Sequence, residues 1–234
     1  LYDLSAMSDD DYFLNEKNPE ILFTYGYYLV SYYAWLAKCN FPISDDLQAL
    51  YGDNDWRLTH FFYKRRAVYT AQKSETSGTT GIYGYAFRTA EAYLNRAEAY
   101  AGKGDKDKAL QDLKTIREKR LKVYEEVQAV TKEDVIRRVR EERRRELSFE
   151  FHRWFDLRRW DRPRIEHTFT PDIKQPDVVE KYVLEKDDPA YTLPLPRSVV
   201  EYDPTLVDNP RPQRENQNVT GENRFCVIGS NAGR

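Results

Sequence analysis

Apolar positions between residues 87 and 120 recur every three or four places. Ala90, Tyr93, Leu94, Ala97 and Ala101 share one helical face, and Ala109, Leu110, Leu113 and Ile116 share a second. Gly102 and Gly104 end the first run, and Asp105 or Asp107 supplies an N-cap for the next. The pattern predicts an antiparallel helical hairpin over about residues 86–120. A further pair of helices is predicted over about 131–160. Thr131 caps the first of them, with Asp134 in the position of the capping-box acid. Val135, Val139 and Leu147 are predicted to point inward. Arg137, Arg138, Arg140, Glu141, Glu142, Arg143, Arg144, Arg145 and Glu146 are assigned to an outer, solvated face. A shorter helix presenting Trp154, Phe155, Leu157 and Trp160 is predicted across residues 153–160.

The flanking sequence is less regular. Ile21 to Tyr25 has the β-branched and aromatic make-up of a short strand. Ser44-Asp45-Asp46 can cap a short helix running through Leu47, Leu50 and Tyr51, and Gly52 to Asp55 reads as a turn. Residues 72–84, rich in Ser, Thr and Gly, read as an exposed loop. After Asp161 the chain is expected to be irregular, with Tyr191 to Pro196 extended because proline fixes φ and restricts its predecessor. The fold class expected is mainly α, with a tetratricopeptide-like hairpin, further helices and long irregular loops. One domain is expected over residues 1–210, followed by an extension at 211–234.

Composition sharpens this picture. Charged residues make up 32% of the chain, but 18 Tyr, 11 Phe and four Trp supply burial that a disordered chain would lack. The net charge of −2 gives no general attraction to nucleic acid or anionic lipid. Glutamates interrupt the arginines of residues 137–145, so no uniform basic patch forms and no nucleic-acid partner is expected. Cys39 and Cys226 fit no metal or redox spacing; a disulfide between them is open. The chain opens on Leu1, with no apolar signal core, so it reads as either cytosolic or a piece of a longer protein.

Candidate chemistry is sparse. His60, His152 and His167 stand apart, and no phosphate loop or dinucleotide fingerprint occurs, so no cofactor is expected. Glu146, Glu150 and Asp156 could be a catalytic carboxylate set. Their companions Arg153, Arg158 and Arg159 instead suggest a half-buried ion network around Trp154 and Trp160. The aromatic tract from Tyr25 to Trp35 has two readings. Tyr28, Tyr32 and Trp35 lie at helical spacing and could be core. Alternatively, exposed rings can stack on the apolar face of a sugar while Tyr hydroxyls orient its polar groups.

Taken together, these stretches resemble the C-terminal part of the SusD/RagB family. The resemblance runs through Asn18-Pro19-Glu20-Ile21-Leu22-Phe23, then Ser44 to Arg57, then the hairpin block Arg88 to Asp112 with Tyr93, Ala97, Tyr100, Gly104, Ala109 and Leu113 at tetratricopeptide spacing. It continues in Glu142-Arg143-Arg144-Arg145-Glu146-Leu147-Ser148-Phe149-Glu150 and on to Trp160, and in Leu193-Pro194-Leu195-Pro196 with Asn209-Pro210. Family members usually carry glycine where Phe151 stands. The resemblance implies a surface-exposed, non-enzymatic lipoprotein of the outer membrane, anchored by a lipid upstream of this stretch. Such a protein captures glycans with aromatic side chains and serves a TonB-dependent, SusC-like transporter. Family binding residues lie in variable loops. Position after the Asn18–Phe23 block therefore nominates Tyr27, Tyr28, Tyr32, Tyr33 and Trp35. The residues from Glu142 to Arg159 are assigned to structure. The alternative is a helical scaffold that binds a protein partner; a hydrolase working through Glu146 and Glu150 is the third reading.

Overall fold

The computed structural model describes residues 1–8, 11–24, 43–65, 68–73, 86–169 and 179–210. The chain divides into two compact units, Leu1–Arg153 and Trp154–Arg234. The fold is mainly helical, as the sequence predicts, with small two-stranded sheets.

In the first unit, α1 (Asp45–Gln48) and α2 (Arg57–His60) are single turns, while α3 (Thr89–Lys103), α4 (Lys106–Arg117) and α5 (Lys132–Glu146) form the helical frame. Ala97, Ala101 and Ala109 are fully buried between α3 and α4, where their small size permits close approach; Leu94, Leu113, Ile116, Val135, Val139 and Leu147 complete that core. Gly104 ends α3 at φ 82°, the left-handed conformation that glycine adopts without a Cβ penalty. Asp105 then caps α4 by accepting from the Lys108 N–H. Thr131 and Asp134 form the full reciprocal capping box at the start of α5. Each such cap contributes about 1 kcal/mol.

A second cluster gathers Leu4, Phe13, Leu14, Ile43, Leu47, Tyr51, Phe61 and Phe62. Phe13 and Phe61 have ring centroids 4.8 Å apart. The antiparallel ribbon of β2 (Phe62–Arg65) and β3 (Val68–Ala71) grows from it. β1 (Ile21–Thr24) is the strand the sequence predicts. It pairs antiparallel with β4 (Ala86–Arg88), so that Ile21 lies opposite Arg88 and Thr24 opposite Ala86. Leu22, Phe23 and Phe87 on this ribbon are exposed.

α6 (His152–Arg159) is the short helix predicted after α5, and the division between units falls within it. In the second unit, Trp154 stacks on Tyr191 with centroids 5.3 Å apart, and the Tyr191 hydroxyl donates to the Pro163 carbonyl. Here the expectation of irregular chain is corrected: β5 (Ile165–Phe169) pairs in register with β6 (Glu180–Leu184), and α7 (Arg197–Tyr202) follows. Tyr191 closes a 3-10 turn, Pro189–Tyr191, rather than starting an extended run. No helix among the described residues is long and apolar enough to cross a membrane.

Candidate functional site

The nominated aromatics Tyr27, Tyr28, Tyr32, Tyr33 and Trp35 lie outside the described residues. Both ends of the segment that holds them are placed. It leaves from Thr24 at the end of β1 and returns at Ile43, whose N–H donates to the Tyr69 carbonyl of β3 at 2.9 Å. The β1–β4 ribbon at its root carries the Phe23 and Phe87 rings, 6.3 Å apart and stacked. What holds that root in place is polar.

Beneath the ribbon lies a buried ion network, and it corrects the outward assignment of the α5 charges. Glu142, Arg143 and Glu146 are buried. Helical periodicity explains this: Val135, Val139, Glu142 and Glu146 advance by four, three and four residues and so share one face. Glu146 is fully buried and accepts from three guanidinium groups. Arg57 Nη1 donates to it at 3.1 Å, Arg88 Nη1 at 3.0 Å, and Arg120 through Nε at 2.9 Å and Nη2 at 3.0 Å. Arg88 Nη1 also donates to Glu20 at 2.9 Å, just ahead of β1, while its Nε and Nη2 donate to Glu150 at 2.8 and 2.7 Å. Arg57 is held by Asp55 through Nε at 2.9 Å and Nη2 at 2.8 Å, and by Glu142 through Nη1 at 2.7 Å. Lys73 donates to Glu150 and to the Glu146 carbonyl.

The partners therefore differ from those expected. Arg57, Lys73, Arg88 and Arg120 supply the cations, and they come from far along the chain. Asp156 instead pairs with Arg159 in the second unit, at 2.9 Å. Aromatic faces support the buried cations: the Arg88 and Arg120 guanidiniums stand 4.9 and 5.4 Å from the Phe13 centroid, and Lys73 Nζ stands 4.0 Å from that of Phe61.

The electrostatics follow from burial opposed by pairing. Burial pushes the Glu146 carboxyl up, but Arg120, Arg88 and Arg57 hold it well below the usual carboxylate range. Glu142 behaves alike: desolvation is outweighed by Arg57, Arg145 and Arg117. Burial pushes the Lys73 ammonium down to about 8, the nearby Arg88 charge adds to this, and Glu150 opposes it. Such a network specifies geometry more than it adds net stability, because desolvating the ions offsets much of their attraction. It also answers the catalytic reading. The Glu146 and Glu150 side chains are sealed from solvent and committed to guanidinium and ammonium donors.

Backbone geometry shows how Glu150 reaches this centre. Phe149 and Phe151 adopt φ values of 61° and 66°, left-handed conformations uncommon outside glycine. They bracket Glu150, whose carboxylate is buried, in the turn after α5. Position 151, where glycine is usual in the resembling family, is thus one where a Cβ carries a conformational cost.

Sequence reasoning missed the four buried cations. The available signal was their setting: Arg57 follows Asp55 and precedes an aromatic run, and Arg88 sits between Phe87 and Thr89 in an apolar stretch. Arginine in such surroundings indicates a buried partner.

A helical-hairpin frame is thus clamped by buried ions to the β1–β4 ribbon, at whose ends residues 25–42 and 74–85 are rooted. The chain belongs to the SusD family, whose model matches residues 25–211. Solved structures agree on the fold. A SusD superfamily protein from Bacteroides thetaiotaomicron VPI-5482 superposes with TM-score 0.65 at 22% identity, covering 90% of this chain and 52% of that one. A Bacteroides vulgatus ATCC 8482 protein, provisionally described as sugar binding, superposes with TM-score 0.56 at 22% identity, covering 76% and 42%. The chain thus spans about half or less of the length of these structures. No curated protein matches it.

Proposed function

We propose that this chain is part of a bacterial cell-surface protein that captures oligosaccharide or polysaccharide by aromatic stacking and passes it to a TonB-dependent outer-membrane transporter. The observation that carries the reading is the SusD-family match across residues 25–211, which includes the whole aromatic segment. The provisional sugar-binding description of one structural neighbour supports the ligand class. Tyr27, Tyr28, Tyr32, Tyr33 and Trp35 supply the rings, presented from the β1–β4 root. Attachment to the membrane is through a lipid upstream of this stretch, and the domain is taken as residues 1–210. The frame itself does no chemistry: it holds a surface still, so that ligand binding costs little ordering.

Each ring–sugar contact is worth about 0.5–1.5 kcal/mol, the scale of an aromatic pair, so a single sugar binds weakly and a chain of them better. Isothermal titration against a panel of neutral polysaccharides tests this. Binding to at least one member, weakened by Trp35→Ala, is expected. Unchanged affinity in Trp35→Ala removes the proposed platform, and binding only to a protein partner favours the scaffold alternative.

A further inference from the structure

The ribbon of β5 and β6 in the second unit has two unlike faces. In-register pairing sets His167 opposite Tyr182 and Phe169 opposite Glu180, with Ile165 opposite Leu184 beyond them. Residues directly opposite share a face, so these six side chains stand on one side of the ribbon. Glu166, Thr168, Lys181 and Val183 take the other side, where Glu166 pairs with Lys181 at 2.6 Å and with Arg164 at 2.8 Å. The first face is open. The Phe169 and Tyr182 rings are each about half exposed. His167 is exposed as well, and neither it nor Phe169 has a hydrogen-bond or ring partner among the described residues. The Tyr182 hydroxyl donates to Oε2 of Glu180, which leaves Oε1 to accept from elsewhere.

Rings and polar groups alternate here. Phe169 and Tyr182 occupy one diagonal of a two-by-two array, and His167 and Glu180 occupy the other. Neighbours in such an array are about 7 Å apart along a strand and about 5 Å apart across the pair. A pyranose carries the same alternation, with apolar C–H patches for the rings and hydroxyls at its rim for an imidazole and a carboxylate. Area decides against a protein partner. Two half-exposed rings offer about 100 Å² each, whereas a stable protein interface needs about 800 Å² per partner. Charge decides against an anion: the strand positions of this face include Glu180 and no lysine or arginine.

We infer that this face is a second saccharide contact, which holds one neutral pyranose of a longer glycan. Phe169 and Tyr182 stack on its C–H face, and His167 and Glu180 bind its hydroxyls. The choice of a sugar over another neutral polyol rests on the glycan-capture reading. The test is titration of the 234-residue chain with malto-, cello-, laminari- and xylohexaose, alongside Phe169→Ala, Tyr182→Ala and Trp35→Ala. Both ring side chains stand half outside the fold, so their variants should fold, and circular dichroism checks that they do. At least one hexasaccharide should bind, and Phe169→Ala and Tyr182→Ala should each weaken it about 2–10-fold, the worth of one ring contact. Proton NMR gives a second readout, because the chain has only three histidines. The His167 imidazole signal, assigned through His167→Gln, should shift on saturation while that of buried His60 stays in place. Unchanged affinity in either ring variant, an unmoved His167 signal with saccharide bound, or absence of binding to every hexasaccharide overturns the proposal. Trp35→Ala keeps the two readings apart. Binding weakened in that variant alone removes this face and retains the aromatic segment, and binding weakened in the ring variants alone does the reverse.

Discussion

Glu146→Gln removes the central acceptor of the buried network while keeping its shape. Among the described residues, the cations Arg57, Lys73, Arg88, Arg117, Arg120 and Arg145 face the carboxylates Glu20, Asp55, Glu142, Glu146 and Glu150, so positive charge is already in excess. The substitution deepens that excess. It also places an amide N–H₂ where two guanidinium N–H groups now point: Arg88 and Arg120 if it replaces Oε1, Arg57 and Arg120 if it replaces Oε2. Removing one partner of a buried ion pair costs about 3–5 kcal/mol, because the remaining charge stays desolvated. With about 2–4 °C of melting temperature per kcal/mol for a chain of this size, the melting point should fall by roughly 6–20 °C. The comparison is Glu118→Gln, whose partner Lys114 is 3.7 Å away with both side chains nearly half exposed. That pair is worth only about 0.3–0.5 kcal/mol. Urea unfolding followed by circular dichroism reads both. If Glu146→Gln moves the midpoint no further than Glu118→Gln, the network does not hold the frame and the reasoning fails.

Three further outcomes follow from the same geometry. Phe151→Gly should stabilise by about 0–1.5 kcal/mol in urea unfolding, since relief of about 1–2 kcal/mol of left-handed strain exceeds or matches glycine's extra chain entropy of about 0.5–1 kcal/mol; Phe151→Val should destabilise by more than about 1 kcal/mol, and equal effects of the two would contradict the φ-based argument. Glu142, Glu146 and Glu150 all have carboxyls held below their unfolded value, so their stabilisation is complete above about pH 4.3 and is lost as pH falls toward their folded values. Thermal melts should accordingly be flat from about pH 7 to 5 and drop steadily below about 4.3, whereas equal melting points at pH 7 and pH 3 would count against the network. Tyr51 donates its hydroxyl to the Arg145 carbonyl at 2.8 Å, tying the second cluster to α5, so Tyr51→Phe should cost about 1–2 kcal/mol in the same assay, and no change would show the bond is dispensable.

The helical frame was legible because its information is local. Gly104, Asp105, Thr131 and Asp134 announce their caps within four residues, and the Ala97–Ala109 approach follows from period alone. The network was not legible because its information is distant. Arg57 and Glu142 are 85 residues apart, Arg88 and Glu150 are 62 apart, and a charged run read in a short window looks solvated. The face shared by Val135, Val139, Glu142 and Glu146 was present in the spacing, but burying acids there makes sense only once their arginines are known. The β5–β6 ribbon escaped notice because its strands are separated by residues 170–179, too long for a hairpin turn signal. The most specific stretch of the SusD resemblance, Glu142–Trp160, supplies three carboxylates of the network, Glu142, Glu146 and Glu150, and the left-handed turn around Glu150. The aromatic segment Tyr25–Trp35 stands out by composition, and its place after the Asn18–Phe23 block is what nominates it.

The pairing of Thr24 with Ala86 has a consequence for how sequence can vary around this frame. Segment 25–42 departs from one of these two residues and segment 74–85 arrives at the other, so both are rooted side by side. Their remaining ends are pinned as well, Ile43 to Tyr69 and Lys73 to Leu14, by main-chain hydrogen bonds of 2.9 and 2.8 Å. Either segment can grow or be rewritten with its endpoints already clasped, and doubling a loop adds only about 0.6 kcal/mol of closure entropy. Change in the length or sequence of either segment is thereby uncoupled from the salt-locked centre, whose carboxylates and cations lie outside both.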